Sequence, residues 1–79
     1  MKHLMVEEDI EVAHAALISL LGKDGRILPR GKDVWPDITI YSPESGKLWY
    51  GDMYKHETTE VIAVLKAFNI QSPTFEVSA

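Results

Sequence analysis

The apolar residues of this 79-residue chain change their spacing three times from one end to the other, and that order narrows the folds open to it. Ile10, Ala13, Leu17, Leu20 and Leu21 recur at threes and fours with His14 beside them, the stripe of an amphipathic helix. The stripe predicts a first helix from Val6 to Leu21. Glu7, Glu8 and Asp9 stand at its start, where the helix dipole favours anions, and Gly22 follows to close it in a left-handed turn. The period then shortens to two. Asp37-Ile38-Thr39-Ile40-Tyr41 alternates, Leu48-Trp49-Tyr50 is aromatic and apolar, and the six residues Ser42 to Lys47 between them are turn formers. These segments read as a hairpin, with Gly51 and Asp52 ending its second strand. Helical spacing returns in Val61, Val64, Leu65 and Phe68, with Thr58 or Thr59 as N-cap and Asn69 as the residue after the helix. Thr74-Phe75-Glu76-Val77 alternates once more and reads as a last strand.

Between the first helix and the hairpin, residues 22–37 hold Gly22, Gly25, Pro29, Gly31 and Pro36. Arg26-Ile27-Leu28 reads as a short strand that Pro29 halts or confines to an edge. Two helices with one apolar face each, and a hairpin that cannot be a parallel crossover, point to α+β. The expected architecture is a small two-layer sandwich: two helices on an at least partly antiparallel sheet of three to four short strands, in the order α-(β)-β-β-α-β. At this length residues 1–79 make one domain, with residues 1–5 expected to be disordered.

Charge is uneven. The formal net charge is −4, yet residues 23–33 hold half of the basic side chains, Lys23, Arg26, Arg30 and Lys32. An acidic total disfavours nucleic acid as a partner. The basic stretch reads either as a solvated loop or as a local contact for an acidic partner. There is no cysteine, no signal-peptide pattern and no apolar run of membrane-spanning length, so a soluble, cytoplasmic protein is expected.

Motifs for chemistry are sparse. His3, His14 and His56 show no zinc-site spacing, and no metal or cofactor is expected. Ser45-Gly46-Lys47 lacks the glycine and hydroxyl residue of a phosphate loop, having Tyr41 and Leu48 in those positions. The densest polar run, Asp52-Met53-Tyr54-Lys55-His56-Glu57, joins the hairpin to the second helix. It would serve a small enzyme or ligand-binding protein if its groups converged on a pocket.

Aromatics concentrate between Trp35 and Tyr54. If Ile38, Ile40, Leu48 and Tyr50 meet the helices, alternation sends Tyr41 and Trp49 to the other face. There they would either be covered by Trp35 or the tail strand or serve as anchors for a partner. The function expected on these grounds is non-enzymatic: a protein-interaction module, in concrete form a small accessory regulator or inhibitor of the kind bacteria and phages encode. Its expected contacts are Tyr41, Trp49 and Tyr54 as anchors with Arg30 and Lys32 as steering charges. Self-association as a homodimer is a further expectation that overlaps this one, either with Phe75–Val77 pairing to its copy or with helix one burying a second apolar side.

Overall fold

A computed structural model of the chain describes residues 7–43, 46–70 and 73–77, and the expectation for residues 1–5 lies outside them. The element order is α1 (Glu7–Leu21), β1 (Val34–Ser42), β2 (Gly46–Tyr54), α2 (Glu57–Ala67) and β3 (Thr74–Val77). The strands form one antiparallel sheet in the order β2-β1-β3, and the helices pack on each other and against β2. This is the α+β arrangement that the change of period predicts. Ala13, Leu17 and Leu21 of α1 and Val61 and Leu65 of α2 meet Ile38, Ile40, Leu48, Trp49 and Met53 of the sheet in one buried core. Among the described residues, no helix is long and apolar enough to cross a membrane.

The helix ends show how the layers are tied. Gly22 takes φ 104°, and its N–H donates to Ile18 O at 2.8 Å. The carbonyls exposed where α1 ends receive donors from distant residues: Arg26 Nη1 donates to Leu21 O, and Trp49 Nε1 to Gly22 O at 3.1 Å. The last turn of α1 carries no basic residue, so Arg26 brings the positive charge that its dipole favours there. At the end of α2, Asn69 takes φ 61°, its N–H donates to Lys66 O at 3.0 Å and the Ile70 N–H to Leu65 O at 2.9 Å. That pair of bonds is the Schellman ending expected of Asn69. The start of α2 differs from expectation. Neither Thr58 nor Thr59 caps it; the helix begins at Glu57, after His56, which makes no side-chain cap bond. Glu57 bends back to accept the Tyr54 N–H at 2.8 Å.

Both hairpin strands are longer than predicted. β1 begins at Val34 and contains Pro36, which has no N–H to give a ladder. A register shift between Trp35 and Ile38 absorbs it, leaving Pro36 and Asp37 opposite Asp52 alone. β2 continues through Gly51 and Asp52 to Tyr54 instead of ending at them. Gly51 is required inside the strand, since a Cβ there would stand 2.6 Å from the Trp49 ring. The predicted strand at 26–28 is reduced to one parallel bridge between Arg26 and Gly51.

Candidate functional site

A single extra residue decides which aromatics reach solvent. Ile40 pairs with Trp49 but Tyr41 pairs with Lys47, so Leu48 is a bulge that shifts the alternation of β2 by one. Trp49 therefore shares the inner face with Ile40 and its other neighbour Phe75, and is 0% exposed. The expectation of Trp49 as an outward anchor is corrected: it is core. Its ring lies across Gly51, with the Arg26 guanidinium 5.6 Å from the ring centroid. Tyr50 takes the outward position instead, in a row with Thr39 and Glu76, and is 37% exposed.

Among the described residues the helices lie on one side of the sheet; on the other, Thr39 is buried while Tyr50 and Glu76 beside it are exposed. Tyr50 lies on the edge strand β2; Tyr41, half-buried, lies one row along between Lys47 and Thr74. Lys47 Nζ stands 6.0 Å from the Tyr50 ring centroid, and the Tyr50 hydroxyl donates to Asp37 Oδ1 at 3.2 Å. That hydrogen bond, reinforced by the Asp37 charge, raises the Tyr50 pKa above its ordinary value.

The loop after α1 is bonded along the free edge of β2 and extends this face. The Tyr50 N–H donates to Asp24 Oδ1 at 2.7 Å, the Gly25 N–H to Tyr50 O at 2.7 Å, and the Asp52 N–H to Arg26 O at 2.8 Å. Asp24 also accepts Lys47 Nζ at 3.1 Å, and His14 Nε2 lies 3.7 Å away. Burial pushes the Asp24 carboxyl up, but Lys47 and the Tyr50 N–H outweigh it and hold the group below the usual carboxylate range. Arg26 turns inward beneath Gly51, and its backbone and that of Leu28 are held on either side of Ile27 by bonds to Asp52. Ile27 is 83% exposed, the largest exposure among the described large apolar side chains.

Arg26 and Asp52 hold this loop in place. Arg26 Nη2 pairs with Glu57 Oε1 at 2.6 Å and donates to Asp52 O at 3.1 Å, joining α1, the loop, β2 and α2 through one side chain. Asp52 accepts the Asp37 N–H at 3.1 Å and the Leu28 N–H at 3.3 Å, pinning the β1 bulge and the loop together. The Asp37 N–H, opposed by burial and helped by the Leu28 N–H and the charges of Arg30 and Arg26, holds the Asp52 carboxyl below the usual range.

The same bonds engage the two carboxylates of the 52–57 run separately. Asp52 and Glu57 point to different partners, both buried, while His56 is exposed and stacks on Tyr54 at 5.5 Å between centroids. Among the described residues, no three His, Asp or Glu side chains gather to hold a metal ion.

The remaining expected contacts do not form one patch. Tyr54 pairs with Val34 at the far end of the hairpin, roughly 20 Å along the strand from the Tyr41 row. Arg30 is exposed, with Nε 3.5 Å from Asp52 Oδ2, and flanks the Tyr50 region; Lys32 is exposed two residues further on. Sequence reasoning missed Ile27 and Tyr50. The signal for Ile27 was present, an apolar residue between Arg26 and Arg30 in a stretch too rich in Gly and Pro for a core. Tyr50 depended on the bulge. Compared with protein-family models, curated proteins and solved structures, the chain matches none.

Proposed function

We propose that this chain is a cytoplasmic protein-interaction module that binds a protein partner through the outer face of its sheet. The observation that carries this reading is Ile27, presented almost fully to solvent from a loop whose backbone is bonded on both sides of it. Exposing an isoleucine gains nothing for folding, and holding it rigid lowers the entropy lost when it enters a pocket. Tyr50 and Tyr41 extend the surface with residue types enriched in binding hot spots. Arg30 at its border supplies a steering charge, which suits a partner with an apolar pocket rimmed by acids. The finer form of the proposal is a regulator or inhibitor of bacterial or phage type that acts by occupying its partner's surface.

The test is an affinity capture from lysate of the source cells with wild type, Ile27→Glu, Tyr50→Ala and the control Lys66→Ala. Support is one stoichiometric protein that survives high salt and is lost with the first two variants alone. Retention by the Ile27 and Tyr50 variants, or recovery of salt-labile nucleic acid only, would sink the reading.

A further inference from the structure

The two edges of the sheet are finished differently. Asp24, Gly25 and Arg26 bond along the free edge of β2 at Tyr50 and Asp52. On the far side of β3, among the described residues, no segment pairs at all. A bare edge offers the N–H and C=O groups of alternate residues to another strand. The inner face is also thinly covered there, because α1 and α2 sit over β2: Phe75 is half-buried, and Val77, facing the same way, is 54% exposed.

We propose that β3 pairs antiparallel with β3 of a second copy of this chain, so that one sheet runs through both. The residues of β3 admit one good register. Residues opposite each other in an antiparallel pair share a face, so a two-fold axis through the sheet must pass through a residue and not between two. An axis at Val77 pairs that residue alone within β3, and an axis at Glu76 sets that carboxylate against its own copy, which is unfavourable. An axis at Thr74 places Pro73, without an N–H, inside the ladder opposite Phe75. An axis at Phe75 keeps the whole span from Pro73 to Val77 paired. Phe75 then meets Phe75 on the inner face, Thr74 lies opposite Glu76, and Pro73 falls at the ladder's end against Val77. The single charge of the strand thus selects the register instead of blocking it. Because the free edge of β2 is engaged in each copy, growth stops at two. A strand of four residues is short of the roughly 1,200–2,000 Å² buried by stable interfaces, so the dimer is weak and concentration-dependent.

Sedimentation velocity across a concentration series tests this, with circular dichroism to confirm folding. Thr74 is exposed, so its replacement leaves the core untouched. In this register Thr74→Glu puts like charges opposite each other twice across the axis, and Thr74→Lys puts opposite charges there twice. The glutamate variant should weaken the dimer about two- to thirtyfold and the lysine variant tighten it by a similar factor. Thr59→Glu and Thr59→Lys, on the exposed side of α2, make the same net-charge changes and should leave association unchanged. A chain that stays monomeric at every concentration overturns the proposal. So does a dimer on which the Thr74 pair does not act in opposite directions, or acts no differently from the Thr59 pair. The outer-face reading stands or falls separately, on the Ile27 and Tyr50 variants.

Discussion

The β2 side and the β3 side of this sheet are built on different principles. On the β2 side an aromatic ring, a half-buried ion pair and a buried carboxylate lock a loop, a helix end and a strand bulge into one unit. On the β3 side, among the described residues, a four-residue strand pairs with β1 and no helix packs over it. Stability is concentrated where buried groups have several partners; surface is left available where a strand has one neighbour. Substitutions on the two sides should therefore differ in kind as well as in size.

The largest effect should come from Trp49→Ala. Truncating a buried tryptophan typically costs about 3–5 kcal/mol, here with the Gly22 carbonyl losing its donor as well. Chemical denaturation should show that loss, and a fall under 1 kcal/mol would mean that the β2 side is not the stability centre. Next is Arg26→Ala, which strands Glu57 as a buried, unpaired carboxylate at a cost of about 3 kcal/mol. Arg26→Ala combined with Glu57→Ala should cost less than the two single changes added together, which a double-mutant cycle would read out. Gly51→Ala forces a methyl group against the indole ring and the Arg26 backbone nitrogen, costing about 2 kcal/mol.

Acid sharpens the same contrast. Asp52 and Asp24 have folded pKa values below the ordinary value of about 4, so the unfolded chain binds protons more readily. Their contribution is complete above that ordinary value and is lost as pH falls through the depressed folded values. Urea midpoints should drop across that window, and the drop should shrink in Asp52→Asn. A midpoint that does not change with pH there would contradict the hydrogen bonding assigned to these carboxylates. The smallest stability effects belong to the β3 side and the outer face. Val77→Thr and Ile27→Glu should each change stability by no more than about 0.5 kcal/mol, as exposed positions do. A larger loss at Val77 would show that the bare edge supports the fold after all.

Much of the architecture was legible because periodicity is a local property. The stripe from Ile10 to Leu21, the alternation of Ile38 and Ile40, the face from Val61 to Phe68 and the tail strand each need only their own residues to declare their form. The endings at Gly22 and Asn69 were readable for the same reason, since a left-handed residue is chosen by what its own backbone can adopt. The candidate surface was read less well. The prediction of an exposed aromatic on the second hairpin strand named the wrong neighbour, because strict alternation has no means of seeing Leu48 as an extra residue. A bulge belongs to a pair of strands, and its cost is settled by what both strands then bury. Likewise Arg26 and Glu57 are 31 positions apart, and no local pattern marks them as partners.

The order of helices and strands, the apolar faces and the helix C-termini were thus set by the sequence alone, through spacing and backbone preference. Tertiary structure decided the rest: that Trp49 is core and Tyr50 surface, that the loop of residues 24–26 closes one edge of the sheet, and that β3 forms the other edge among the described residues. Each of these depends on pairing register and on which distant polar group satisfies a buried donor or acceptor. Such choices are made only when the layers meet, because the free energy of a buried polar group is fixed by its partner and not by its neighbours in the chain.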